Sequence, residues 1–209
     1  MCVTPFVRAF NLLQVIANVY FIVYGIYIAF YRLRFRVICE PLHQRVDLDN
    51  SRLVNLYYFY WLVRLSDYLD TIFFILRKKH SHVTFLHVYH HICVSLNGWL
   101  YVRQGWIHGA LIGVFMNATI HVVMYSYFLL ATFPRLRPYL WWKKYLTSAQ
   151  ILQFVVFGIL VISAVQDSNQ CGYSDIAVYN CLGNIFLFLF LFSKFYMDSY
   201  MNNAKQKLT

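Results

Sequence analysis

The segment VTFLHVYHHICVSLNGWLYV, residues 83–102, is long and apolar enough to predict a membrane-spanning helix. It carries His87, His90 and His91, which stand at positions i, i+3 and i+4 of a helix and therefore share one face. Ionisable rings are costly against hydrocarbon, so this face indicates a functional interior. The alternative is three core histidines satisfied by ordinary hydrogen bonds.

The composition places the whole chain in the membrane class. Of 209 residues, 60% are hydrophobic and 12% are charged, whereas soluble domains carry about 25% charged residues. A bilayer core needs roughly 20 apolar residues per helix. The spans that we predict are residues 10–31, 54–76, 83–102, 107–133, 140–165 and 176–196. We therefore expect an all-α integral membrane protein, with six transmembrane helices and residues 1–209 in a single domain.

The net charge of +10 is explained by where the cations lie, and we expect no nucleic-acid partner. Cations follow the second and fourth predicted spans and recur in the tail, which predicts that these segments are cytoplasmic. The first loop disagrees, because its arginines outnumber its acids although parity places it in the lumen. Lys205 and Lys207 match a dilysine retrieval signal at a cytoplasmic C-terminus, which predicts the endoplasmic reticulum membrane.

Two of the five cysteines, Cys39 and Cys171, fall in the first and fifth loops on the predicted luminal side. An oxidising compartment would suit a disulfide between them. The sequence leaves two unpaired thiols equally open.

Three further spans carry polar stripes at helical spacing. The stripes are Arg64, Asp67 and Asp70 in the second span; Asn117, His121 and Tyr125 in the fourth; and Thr147, Gln150 and Gln153 in the fifth. Each stripe alone could be hydrogen-bonding glue between helices. However, at 1.5 Å per residue all of them, and the three histidines, fall in the cytoplasmic half of the membrane. Inward polar faces at one depth predict one buried chamber.

The residue types of this chamber suit acid–base and nucleophilic chemistry. Histidine can act as base, acid or nucleophile near neutral pH. Amide side chains can donate to a developing oxyanion or enolate, and the two acids could orient an imidazole. A basic rim, formed by residues 77–79 with Lys143 and Lys144, would suit a phosphate-bearing ligand, although most of these cations could be ordinary cytoplasmic charge.

Taken in order, these elements resemble the very-long-chain fatty acid elongases, which are membrane 3-ketoacyl-CoA synthases. The family's histidine box is present as His87-x-x-His90-His91, and its Lys-x-x-Glu-x-x-Asp-Thr element is similar to residues 64–71. Its Asn-x-x-x-His-x-x-Met-Tyr and Thr-x-x-Gln-x-x-Gln elements match residues 117–125 and 147–153. The four elements cover residues 64–153, and the chain start and the lysine-rich tail extend the likeness.

The resemblance implies condensation of a long-chain acyl-CoA with malonyl-CoA, giving a 3-ketoacyl-CoA two carbons longer, CoA and CO₂. CoA thioesters are then substrates, and no bound cofactor or metal is expected. The family's last six of seven helices form a barrel around an acyl tunnel, with a luminal disulfide that Cys39 and Cys171 would form. Residue 1 corresponds to a point just before the second family helix, so the resemblance implies that this sequence lacks the first family helix. The resemblance also suggests membrane lipid, a homodimer and other elongation-cycle enzymes as partners.

Roles for single residues are expected on this basis. His90 attacks the acyl thioester to form an acyl-imidazole, and His121 is close enough to share that role. Asn117, His87 or Gln150 holds the enolate of malonyl-CoA. Asp67 and Asp70 orient the imidazoles, among them that of His91. Substrate contacts are expected from a further set: Arg64, Tyr125, Thr147, Gln153, Lys143 and Lys144.

Three substitutions depart from the family pattern. Arg64 replaces a lysine, Asp67 replaces a glutamate, and Phe128 stands where a second tyrosine is usual. They leave open a catalytically inactive relative that binds other elongation enzymes. A di-iron desaturase or hydroxylase also uses His-x-x-His-His, but two irons want about eight ligands and no second histidine box is present.

Overall fold

The computed structural model describes residues 3–35, 48–104, 106–166 and 174–202, and every regular element within them is a helix. The helices are α1 (Thr4–Ile26), α2 (Leu48–Ser66), α3 (Tyr68–Leu76), α4 (Phe85–Gln104), α5 (Ile107–Ala131), α6 (Lys143–Gln166) and α7 (Asp175–Tyr196). π-Helical turns at Tyr27–Arg32 and Met197–Asn202 extend α1 and α7. Short 3₁₀ helices at His80–His82 and Pro134–Tyr139 precede α4 and α6.

The all-α membrane class is confirmed. Within the described ranges, four helices are long and apolar enough to cross a bilayer: α1 with its π-helical turn, α5, α6, and α7 with its π-helical turn. Two of the predicted spans do not meet that standard. The second is divided between α2 and α3, and α4 carries three histidines and Asn97. Six crossings, and residues 1–209 as one domain, therefore stay predictions.

The prediction of one continuous helix over residues 54–76 is wrong. The chain breaks at Asp67, between α2 and α3. There the amide of Asp67 donates to the carbonyl of Arg64 at 3.3 Å, and the amide of Asp70 to that of Asp67 at 3.0 Å. These three-residue steps tighten the chain into a turn, so that α3 starts afresh. The break coincides with a buried ion pair between Arg64 and Asp67.

Two predicted helix boundaries also shift. The first helix begins at Thr4 rather than near residue 10, because Pro5 lies in its first turn, where proline needs no hydrogen-bonded amide. The helix predicted from residue 140 begins at Lys143, because the two prolines of Pro134–Tyr139 favour a short 3₁₀ helix there.

Helix α1 buries three amide side chains beside apolar ones, and its exposed face carries large apolar residues. Its buried residues include Asn11, Gln14 and Asn18, whereas Leu13 and Ile16 are exposed. A soluble helix would show the reverse pattern. An apolar outer surface around buried amides is what a lipid solvent favours, so the packing agrees with the membrane class.

The bundle is held by two main apolar clusters. Phe21 of α1, Leu56 of α2 and Phe115 of α5 belong to the first. Phe154 of α6 and Phe188 of α7 belong to the second, which also touches α4. Helices α1 and α5 run antiparallel, because Arg8 near the start of α1 donates to Thr132 just beyond α5. The polar residues lie between these clusters.

Some sequence expectations fall on residues outside the described ranges. Cys39, Cys171, Lys205 and Lys207 all do, so the disulfide and the retrieval signal stay predictions. Within the described part of the chain, Cys93 and Cys181 are free thiols.

Candidate active site

Polar residues from five helices, α1 and α3 to α6, line one cavity of about 410 Å³. The predicted site residues that line it are Asp70 of α3; His87, His90 and His91 of α4; Asn117 and His121 of α5; and Lys143, Thr147, Gln150 and Gln153 of α6. The helices that carry these groups start or end near the cavity, so stripes far apart in sequence reach the same depth. The structure thus brings the four stripes together.

One end of the cavity is basic. Arg77, Lys79, His82 and Lys143 line it there. Burial lowers the pKa of Lys79, and the neighbouring cations, Arg77 first, lower it further. Burial likewise lowers the pKa of His82, with Lys79 adding to the effect. Crowded cations favour an anionic ligand that would relieve their repulsion.

Lys144, predicted to bind substrate, does not line the cavity. Its side chain is exposed, and its ammonium lies 4.8 Å from the centroid of the Tyr145 ring. Successive helical residues point about 100° apart, and here Lys143 lines the cavity while Lys144 points away from it.

The three histidines of α4 form a tight cluster. The ring centroids of His87 and His91 are 4.5 Å apart, and those of His90 and His91 are 5.3 Å apart. The hydroxyl of Thr71 lies 2.8 Å from Nε2 of His87, which ties α3 to α4. The ring of His90 meets the ring of Phe188 at 5.2 Å between centroids. Each imidazole is thus held in place by neighbours.

Arg64 organises the polar groups behind the cavity wall. Its Nη1 lies 3.2 Å from Oδ2 of Asp67 and also donates to Nδ1 of His121. Its Nη2 donates to Oδ1 of Asn18 at 3.0 Å. Guanidinium has donors and no acceptor, so Nδ1 of His121 must carry the lone pair. His121 is then the tautomer with its proton on Nε2.

Tyr125 joins the two acids. Its hydroxyl lies 2.9 Å from Oδ1 of Asp67 and 2.7 Å from Oδ2 of Asp70. Asp67 is also 4.0 Å from Nδ1 of His121. In the described residues no ion pair joins either acid to the histidine box. Arg64, Asp67 and Tyr125 therefore contact residues of the cavity wall and do not line the cavity themselves.

The amides of the cavity are oriented by their neighbours. Oδ1 of Asn117 accepts a hydrogen bond from the Tyr60 hydroxyl at 2.7 Å, which leaves its NH₂ group for the cavity. Nε2 of Gln150 lies 4.0 Å from the sulfur of Met124, a weak acceptor. Both amides can thus offer N–H donors to a bound oxygen.

Sequence reasoning missed the amides of α1. Asn11, Gln14 and Asn18 are each at most 3% exposed, and the last two contact Arg64. Their spacing of three and four residues inside an apolar span was a readable signal of the same kind as the other stripes.

The described part of the chain places no three His, Cys, Asp or Glu side chains where they could hold a metal ion. The arrangement therefore gives no support to the di-iron alternative.

Comparison of the sequence with known proteins shows the family of the chain. The sequence model of the GNS1/SUR4 family (ELO) matches residues 1–208. Very long chain fatty acid elongase 5 of Tachysurus fulvidraco is 39% identical over 164 residues, which are 78% of this chain and 54% of that protein.

Two other relatives are similar over more of the chain. Elongase 4 of Mus musculus is 36% identical over 204 residues, 96% of this chain and 63% of its own length. Elongase 2 of Rattus norvegicus is 37% identical over 173 residues, 81% of this chain and 60% of its own length. The chain spans less than two thirds of the length of these relatives. Because the family model covers nearly all of it, the chain belongs to the GNS1/SUR4 (ELO) family, together with these very long chain fatty acid elongases.

Proposed function

We propose that this protein is a very-long-chain 3-ketoacyl-CoA synthase of the endoplasmic reticulum membrane, with a cytoplasmic C-terminus. The carrying observation is the convergence of three α4 histidines, His121 and two amide-bearing stripes on one cavity with a basic end. Its substrates are a long-chain acyl-CoA and malonyl-CoA. The cationic end would receive the CoA phosphates, and the apolar interior would receive the acyl chain.

The first chemical step is acyl transfer to His90. A lone pair on its imidazole attacks the thioester carbonyl carbon, the C–S bond breaks, and CoA leaves as a thiolate that takes a proton. In the second step malonyl-CoA loses CO₂, and the electron pair of the broken C–C bond becomes an enolate. The enolate attacks the acyl carbon, the C–N bond to His90 breaks, and the 3-ketoacyl-CoA departs.

The hydrogen bonds of the site support separate roles for its histidines. Because Arg64 holds Nδ1 of His121 as an acceptor, Nε2 of His121 carries a proton and suits donation rather than attack. We therefore give His90 the nucleophilic role, and His121 a donor role beside the NH₂ group of Asn117. Donors aimed at a developing oxyanion or enolate are among the largest catalytic contributions.

Labelled malonyl-CoA incorporation by membranes of elongase-deficient cells tests the proposal. The expected result is a lipid product two carbons longer than the acyl-CoA supplied, which His90→Ala abolishes. The matched control is His80→Ala, because His80 is exposed and outside the cavity, and this variant should retain the product.

Two outcomes would count against the proposal. A well-expressed, correctly located wild-type protein without product would favour the inactive relative. Full activity in His90→Ala would refute the acyl-histidine step.

A further inference from the structure

One buried amide of the cavity has a donor without a partner among the described residues. Asn11 of α1 is 2% exposed and lines the cavity. Its Nδ2 is fully buried, with no hydrogen-bond acceptor in the described part of the chain. Nearly all buried polar groups in proteins are satisfied, so an orphaned donor beside a cavity of histidines calls for an explanation.

The other two amides of the same stripe are satisfied by the protein. Nε2 of Gln14 donates to the Ser66 hydroxyl at 2.7 Å. Nδ2 of Asn18 donates to the carbonyl of Gln14 at 2.7 Å, and its Oδ1 accepts from Arg64 at 3.0 Å. Asn11 is one turn nearer the start of α1 and is the member of the stripe that lines the cavity. Its donor is thus left for something that enters.

The proposed reaction names an acceptor for this donor. It brings a carbonyl group to the imidazoles that line the same cavity as Asn11. A carbonyl oxygen is neutral, accepts two hydrogen bonds and donates none, which suits an unpaired amide. Both substrates of the proposed reaction are thioesters and carry such an oxygen.

On the basis of the proposed function, we propose that Nδ2 of Asn11 donates a hydrogen bond to the thioester carbonyl oxygen of the bound acyl-CoA. When a cavity imidazole attacks the carbonyl carbon, the C–O π electrons move to this oxygen, and the hydrogen bond strengthens. Asn11 is therefore a substrate-contacting residue supplied by α1, on a different helix from every histidine of the site.

The test is Asn11→Leu, which removes the donor at similar volume. Without ligand, the variant should melt at the wild-type temperature or above, because no protein acceptor loses its partner. The kcat for elongation of palmitoyl-CoA should fall about 10²-fold with little change in KM, as for the loss of an oxyanion donor. The matched control is Asn180→Leu. Oδ1 of Asn180 is also buried and unpaired, but Asn180 lies outside the cavity, so its kcat should be unchanged.

A binding measurement that needs no turnover separates this proposal from the proposed function. Wild-type protein should bind a ketone analogue of palmitoyl-CoA more tightly than hexadecyl-CoA, a thioether without the carbonyl. Asn11→Leu should bind the two alike. If the wild-type protein neither elongates nor binds these analogues, the proposed function fails, and the role of Asn11 fails with it.

Two other results would overturn the assignment of Asn11 alone. One is wild-type kinetics in a folded Asn11→Leu protein, while wild type elongates normally. The other is a large fall in melting temperature, without ligand, in both Asn11→Leu and the smaller Asn11→Ala. That result would give Asn11 a purely structural role in the bundle.

Discussion

The ion pair of Arg64 and Asp67 accounts for two departures from the family pattern at once. Arg64 is longer-reaching than a lysine and has five donors, of which it uses several on Asp67, His121 and Asn18. Asp67 is one methylene shorter than a glutamate, and its two oxygens are occupied by Arg64 and Tyr125. A longer cation with a shorter anion thus still forms a buried ion pair, although Nε of Arg64 has no hydrogen-bond partner among the described residues. The two substitutions therefore keep a cation and an anion paired at these positions.

At this scale we predict that Asp67→Asn destabilises the protein. It leaves the Arg64 charge buried without its counter-ion, and breaking such a pair typically costs about 3–5 kcal/mol. Unfolding in detergent micelles, followed by circular dichroism against denaturant, measures the change. Asp175→Asn is the matched control: Asp175 is exposed at the start of α7, and its loss should be worth less than about 1 kcal/mol. Equal stability of both variants would mean that the Arg64–Asp67 pair does not stabilise the bundle.

The helices differ in how far their sequences determine them. Helices α5, α6 and α7 could be predicted from continuous apolar runs, because lipid requires every backbone group to be satisfied within a helix. The break between α2 and α3 could not, because no glycine or proline marks it and it coincides with the buried contacts of Asp67 with Arg64 and Tyr125. The sequence does not single out the α1 amides as site residues, because a polar residue in an apolar helix ordinarily forms hydrogen bonds to neighbouring helices.

Close helix contacts depend on single glycines. A Cβ atom placed on Gly113 of α5 would lie 2.4 Å from the ring of Phe157 in α6. A Cβ atom on Gly183 of α7 would meet no atom within 4 Å. Small residues allow membrane helices to approach closely. Gly113 therefore permits the close contact between α5 and α6, whereas no described helix packs closely against Gly183.

We therefore predict opposite effects when a side chain is added at these two glycines. Gly113→Val should lower the free energy of unfolding by about 1–3 kcal/mol through overpacking against Phe157. Gly183→Ala should be neutral or stabilising by up to about 1 kcal/mol, because alanine is the better helix former. Denaturant unfolding of the purified variants measures both. Adding Phe157→Leu to Gly113→Val should recover part of the loss, and strict additivity of the two changes would contradict the contact.

For the whole molecule, the family and the meeting of the polar stripes were accessible from sequence, whereas the shape of the cavity was not. Depth along antiparallel helices follows from residue count, so Asp70, His90, His121 and Gln150 could be expected at one level. Whether Lys144 faces the cavity depends on the rotation of α6 about its axis. The aromatic part of the cavity wall depends on packing between α4, α6 and α7. Neither follows from periodicity, because many rotamers fit the same pattern.

The aromatic part of the cavity wall yields the last prediction, which rests on the proposed function. Phe154 and Phe192 line the cavity, and Phe188, 5% exposed, packs 5.8 Å from Phe154 between ring centroids. Phe188→Ala should open space beyond them, since membrane and protein cores refill such a void only in part. Products should then shift to chains longer by roughly one elongation cycle. Gas chromatography of lipids from elongase-deficient cells, fed a series of acyl chains, measures the shift.

Phe186→Ala on the same helix is the control, because Phe186 is 61% exposed and points away from the bundle. If both variants give the wild-type chain lengths, this aromatic cluster does not close the acyl site, and the chain must leave the cavity between other helices.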